Sequence, residues 1–485
     1  MILTDKNLLV RSDYFLILVA FTIALLDHLF AERILLNQGL GWDGLNYGTW
    51  AQNFYEQIVV HGVNNYWIQR ILPSALVHYS LRLLAIPLTI PNIIEAFSFI
   101  NVILITLMAW VWCLIVAQLN ISNRGKWLGF IGLFLNHAIL KHTFYYPVLT
   151  DIYAYAIGLV MIYFFLTNRL FSLCILTIAG SFVWPTALVS GSILLLFPRE
   201  NNANIHSTPA RFKLNYSIGY ASAIVFLVLV LVLYFKNLRP FSDVAPLFKI
   251  LFIPNILIVM MYLFFGIKIL LDDDKIFDWH CWIGKVTLFR QLLVLVLILI
   301  VTVFIYNFST TKGSSLKGFL VYLTSSAIKR PGMFFISHII YYGPLLIVAL
   351  FLWPQICKGV QSYGIGLILS FTLALVLSLA SVSRQFILQY AIILPFIIKA
   401  TDSLEWKKGY YWLLAGMAII LSKIWLPINL RPFDGKYSEF PWQLYFMSHG
   451  SYMSNEMYLV QGLAVLVSAG IIYRVMFYKT PMASG

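Results

Sequence analysis

Three ionisable residues sit where a charge is costly unless it has a task. Asp43 lies in LGWDGLNYGTW, residues 40–50; Asp151 lies in FYYPVLTDIYAYAIGL; Arg384 lies in SVSRQFILQYAIILPFI. Two acids amid aromatic residues, each at the start of an expected helix, suit a reaction centre. A guanidinium in an apolar stretch wants an anion. Each also has a plain structural use. Asp43, and either Thr150 or Asp151, could cap a helix, and Arg384 could reach lipid headgroups. Gly41 and Gly44 give the backbone around Asp43 freedom, while Trp42 and Tyr47 suit a membrane interface.

The elements that must hold these residues are oily. Of 485 residues 61% are hydrophobic and only 11% charged, against roughly 25% charged in soluble domains. Ile218 to Phe235, Ile250 to Leu271, Leu288 to Tyr306 and Met333 to Trp353 approach or reach the ~20 residues that cross a bilayer as helix. A water-soluble protein is excluded. The 33 Lys and Arg against 19 Asp and Glu give +14, which basic loops retained on the cytoplasmic side explain without nucleic acid. Cys113, Cys174, Cys281 and Cys357 have no pairing or metal-ligand spacing. Lys6 and Arg11 precede an apolar stretch from Tyr14 that contains Asp27, so it reads as an uncleaved first span.

Hydropathy and loop charge predict an all-α polytopic membrane protein with about 12–14 transmembrane helices. The chain starts in the cytoplasm, crosses near 14–31 and leaves 32–90 outside. There Tyr47, Trp50, Phe54 and Ile58 share one helical face, and Ser74, His78 and Arg82 recur every four positions after Pro73. Two amphipathic juxtamembrane helices are expected. Spans follow near 94–119, 127–140 and 152–167, then a pair of short segments over 170–197 broken at Trp184-Pro185, where a lipid tail could enter sideways. Further spans fall near 215–235, 250–271, 286–306, 333–353, 363–380, 385–399, 410–427 and 457–477. Loops 32–90, 141–151, 236–249, 307–332 and 428–456 are then external, with no separate soluble domain.

The motifs WDGxxY after the first span, QRILPSAL opening the second surface helix, YPVLTD after the third span and SRQF...LP late in the chain resemble the GT-C superfamily. These are polytopic glycosyltransferases using polyprenyl-phosphate-linked sugars. The likeness is fullest over 1–200, expected to be a GT-C-like catalytic module, with 201–485 contributing further membrane helices and the loops 307–332 and 428–456. No WWDYG-like signature of the oligosaccharyltransferases is present.

The resemblance implies Asp43 and Asp151 as catalytic acids and Arg384 as a grip on the donor phosphate. Arg70, Lys141, His142, Lys329 and Arg330 share the outer side as candidate phosphate partners, and Trp42, Tyr47 and Tyr146 as substrate contacts. The expected reaction moves a sugar to an acceptor hydroxyl on a glycan, lipid or protein, with inversion and with Asp43 as general base. It is placed at the periplasmic or outer face of a bacterial inner membrane, amid membrane lipids. No cofactor is firmly implied; a divalent metal between Asp43 and Asp151 stays open. Asp272-Asp273-Asp274 is more in keeping with a helix end than a metal cluster, and the nine histidines lack zinc spacing. An O-antigen-type polymerase or ligase, and a lipid or oligosaccharide transporter, are the alternatives.

Overall fold

The computed structural model describes residues 10–200, 214–236, 251–272, 286–310, 313, 315–404, 406–430, 450 and 453–478. Among them the chain is helical, without a strand and with one isolated bridge, Val63 to Ser309. The first half carries α1 (Arg11–Phe30), α2 (Asp43–Gln52), α3 (Leu72–Leu83), α4 (Ile90–Leu119), α5 (Asn123–Phe134), α6 (Asp151–Leu166), α7 (Leu170–Ser181) and α8 (Thr186–Leu196). There follow α9 (Leu214–Phe235), α10 (Phe252–Leu270), α11 (Leu288–Phe308), α12 (Leu316–Ile328), α13 (Met333–Tyr342), α14 (Leu345–Phe351), α15 (Trp353–Gln361), α16 (Ile365–Leu377), α17 (Ile387–Asp402), α18 (Lys408–Ser422) and α19 (Asn455–Ile472).

Among the described residues six helices are long and apolar enough to cross a membrane: Arg11–Phe30, Ile90–Leu119, Asn215–Phe235, Phe252–Leu270, Leu288–Phe308 and Asn455–Phe477. That is fewer than the 12–14 expected. Each remaining expected span coincides with a helix that is short or interrupted. The reason is local: 333–353 breaks at Gly343-Pro344 into α13 and α14, and α17 carries Pro395 inside it, proline removing a backbone donor and crowding the preceding turn.

The stretch 170–197 breaks at Trp184-Pro185, as expected, because the residue before a proline is driven out of the helical region. α7 and α8 fold back as a hairpin in which Gly191 lies directly against Thr177. The two helices are thus in close contact at that level. A cavity of about 660 Å³ lies elsewhere, among α10 and α13 to α17, and is lined almost wholly by apolar side chains.

Two short helices, α2 and α3, lie in the stretch where juxtamembrane helices are expected. α3 turns its polar side inward: Ser74 Oγ donates to the Tyr47 carbonyl at 2.9 Å and the His78 Nδ1 lies 2.8 Å from the Ala51 carbonyl oxygen. Its apolar side faces out, Leu83 being 87% exposed while His78 is 5% exposed. Such a face suits a helix resting on lipid.

Two contacts decide where the ends of α6 and α17 meet. Gly158 on α6 has no side chain, and a Cβ there would lie 2.5 Å from the Leu388 carbonyl oxygen of α17. Tyr390 on α17 donates from its hydroxyl to the Gly132 carbonyl of α5 at 3.0 Å. The close crossing brings the start of α6 beside the turn that precedes α17. At the opposite end, Lys126 Nζ is buried against Asp13 Oδ1 at 2.6 Å and Ser12 Oγ at 2.7 Å.

Candidate active site

Asp43 is the first residue of α2 and does not cap it. The capping position belongs to Trp42, which makes no side-chain cap bond, and the Gly44 amide donates instead to Tyr146 Oη at 2.9 Å. The loop before α2 is built around that tyrosine. Gly41 has φ +69°, and a Cβ there would fall 2.3 Å from the Tyr146 ring. Trp42 packs edge-on to the same ring at 6.4 Å. Gly41→Ala therefore combines a left-handed backbone with a clash. It is expected to lower stability by about 1–3 kcal/mol and to displace Asp43, readable as a fall in melting temperature with loss of activity.

Asp151 is likewise first in its helix, and Thr150 at the cap makes no side-chain cap bond. Its carboxylate is committed across the fold. Arg384 donates from Nε to Asp151 Oδ1 at 2.7 Å and from Nη2 to Oδ2 at 2.9 Å, the bidentate fork that planar guanidinium suits. The third nitrogen, Nη1, faces Asp43 Oδ2 at 3.5 Å. The Asp43 side chain is 38% exposed whereas that of Asp151 is 5% exposed. One acid is locked and the other is open. Burial opposes the charge on Arg384, but the carboxylates of Asp151 and then Asp43 outweigh it and hold the guanidinium well above its ordinary value. Both acids also sit at the positive ends of helix dipoles.

The turn carrying Arg384, Ser383–Phe386 in 3-10 form, is clamped by α13. Tyr342 donates from its hydroxyl to the Ser383 carbonyl at 2.7 Å. His338 Nε2 lies 2.7 Å from the Ser378 carbonyl, so Nε2 carries the proton, and Nδ1 accepts from Ser383 Oγ at 3.0 Å. Phe386 stacks on the His338 ring at 5.1 Å. Phe386 and His338 also wall the large apolar cavity, which thus abuts the Arg384 turn.

Arg70 ends a short 3-10 turn, Ile68–Arg70, before α3. It is 5% exposed, and its guanidinium lies 4.2 Å from the Trp184 ring and 4.7 Å from the Tyr66 ring. Nη1 donates to Tyr47 Oη at 3.3 Å, and Nε is buried with no hydrogen-bond partner. Among the described residues no carboxylate pairs with it. It is close enough to Arg384 for the two charges to oppose each other. Tyr47, buried beside Arg70, has its hydroxyl pushed up to about 12 by burial.

The other expected phosphate partners are engaged elsewhere. Lys141 Nζ bonds Glu32 Oε2 at 3.0 Å. Burial acts to raise the Glu32 carboxyl, but the Ile428 and Asn429 amides and Lys141 outweigh it and hold it below its ordinary value. His142 is buried with Nδ1 3.3 Å from Tyr341 Oη. Arg330 donates to the Met453 carbonyl at 2.6 Å and Asn455 Oδ1 at 2.8 Å, tying the turn before α13 to α19. Lys329 ends α12 in that same turn. The structure brings together Asp43, Asp151, Arg384, Arg70, Trp42, Tyr47 and Tyr146.

Sequence reasoning missed His338, Tyr342, Tyr66 and Trp184 as supports, because nothing local marks a side chain whose partner is remote in the chain. Asp272 accepts from Asn215 Nδ2 at 2.6 Å; Asp273 and Asp274, Cys281, and most of loops 236–249 and 428–456 lie outside the described residues. Among the described residues no group of three His, Cys, Asp or Glu is gathered as a metal site would require. No protein family, no curated protein and no solved structure matches this chain.

Proposed function

We propose that this protein is a membrane glycosyltransferase of GT-C type, moving a sugar from a polyprenyl-phosphate donor to an acceptor hydroxyl at the outer face of the membrane. The observation that carries the reading is one half-open site in which a locked acid, an exposed acid and a charge-bridging arginine converge, the locked pair alone being 233 residues apart in the chain. Asp43 accepts the proton of the acceptor hydroxyl as its oxygen attacks the anomeric carbon. The bond from that carbon to the phosphate oxygen breaks on the opposite face, and the configuration inverts.

Arg384 is spent on Asp151 and Asp43, so its role is to fix both carboxylates. Arg70 becomes the better partner for the departing phosphate, being a buried cation with an unfilled donor. A preorganised cation in a partly dry site stabilises charge that grows in the transition state. The apolar cavity beside the Arg384 turn suits the long hydrocarbon tail of such a donor.

The test is reconstitution in vesicles with polyprenyl-phosphate sugars, comparing wild type with Asp43→Asn. A transporter would move substrate without transferring sugar and would survive that substitution; a polymerase or ligase would require a diphosphate-linked glycan donor. Arg70→Lys keeps the charge but loses the planar fork and ring stacking. It is expected to lower kcat/KM for the donor about 10–100-fold, the weight of one charge-assisted hydrogen bond, with the melting curve little changed. Wild-type kinetics in Arg70→Lys would return the phosphate role to another residue.

A further inference from the structure

We propose that Arg169, Arg199 and Arg290 form a seat for the phosphate of an anionic membrane lipid, at the end of the bundle opposite the candidate active site. The distance between the two follows from α6, whose 16 residues from Asp151 to Leu166 span roughly 24 Å. Arg199 donates from Nη1 to the Leu166 carbonyl, and Arg290 from Nη1 to the Leu195 carbonyl at 2.6 Å. Arg169 stands at the start of α7, its guanidinium 5.5 Å from the Tyr163 ring. All three line one small depression together with Asn168 and Pro198.

Capping helix carbonyls engages one donor on each of two arginines, and the Arg199 guanidinium also lies 5.3 Å from the Tyr363 ring, a contact that uses its face and not its N–H donors. A guanidinium has five N–H donors, and the Arg199 Nε is buried with no hydrogen-bond partner. No carboxylate among the described residues pairs with any of the three. Glu200, adjacent in sequence, rests its side chain against Gly364. Three cations thus line one depression without a carboxylate partner among the described residues, and a phosphate offers several acceptor oxygens suited to guanidinium donors.

The surroundings favour a lipid over free phosphate. Phe171 and Ile175 on α7, each 69% exposed, and Leu288 and Phe289 on α11, 68% and 56% exposed, present bare apolar surface along the two helices that rise from the depression. Acyl chains would lie on that surface while the headgroup sits among the arginines, the arrangement expected of basic pockets between membrane helices. The inference rests on the bundle crossing a membrane and is independent of glycosyl transfer.

Native mass spectrometry of the delipidated full chain, titrated with phosphatidylglycerol or phosphatidylcholine, tests it. Wild type is expected to prefer phosphatidylglycerol by about tenfold or more, and Arg199→Gln/Arg290→Gln to lose that preference. Arg199→Lys/Arg290→Lys, retaining charge, should recover most of it. Millimolar inorganic phosphate should leave the lipid bound. Equal binding of the two lipids by wild type, or undiminished preference in the glutamine variant, overturns the proposal. Displacement by inorganic phosphate would instead identify a free-anion site and overturn the lipid assignment. If the glutamine variant does not fold, the wild-type preference and phosphate competition still decide the outcome.

Discussion

Asp43→Asn is expected to reduce sugar transfer about 10²–10⁴-fold, the usual worth of a positioned general base, equivalent to roughly 3–5 kcal/mol of transition-state stabilisation. The amide keeps the shape of the carboxylate but cannot receive the proton. The loss should appear in kcat rather than in donor affinity, because Asp43 is the open member of the site and the phosphate partner proposed is Arg70. Folding should be nearly untouched. Asp43 caps no helix, its side chain is 38% exposed, and it stands 3.5 Å from a guanidinium whose other nitrogens are held by Asp151; half-exposed ion pairs contribute about 1 kcal/mol or less. Turnover measured at saturating donor, beside a melting curve, separates the two effects. Wild-type turnover in a well-folded Asp43→Asn protein would remove the general-base mechanism.

Asp151→Ala is expected to act through stability first. It strips the bidentate partner from a guanidinium whose side chain is 13% exposed, and breaking a buried pair by removing one partner costs about 3–5 kcal/mol. Arg384 would then turn toward Asp43, the nearest remaining carboxylate, and occupy the base. Activity should fall with stability. Removing both charges in Asp151→Ala/Arg384→Met should recover part of the stability without recovering activity, since the uncompensated cation is gone but Asp43 is no longer positioned. Chemical denaturation of the two single variants and the double variant measures the coupling. Additive losses would mean that the pair seen between α6 and the Ser383–Phe386 turn does not form as a unit.

Helices over 11–30, 90–119, 151–166 and 288–308 follow from continuous apolar runs, and the break at Trp184-Pro185 from the backbone limits of proline. The two surface helices follow from the spacing of Tyr47 and Trp50 and of Ser74 and His78. Asp43, Asp151 and Arg384 were identifiable singly, because a charge amid apolar residues is costly wherever it lies. Hydropathy averages over Gly343-Pro344, so the break of 333–353 into two short helices is not legible from it.

What the chain determined alone is therefore its helical, oil-rich character and the few residues whose charge demands a partner. Which partner each received was decided only in three dimensions. Lys141 and Arg330 resemble Arg70 in sequence context, yet the first meets Glu32 and the second the backbone at Met453, whereas Arg70 is held between Trp184 and Tyr66 with one donor unfilled. Arg384 found Asp151 because Gly158 lets α17 press against α6. Helical periodicity encodes the face a side chain occupies on its own helix; the neighbour it meets depends on how closely distant helices pack, and no local pattern carries that distance.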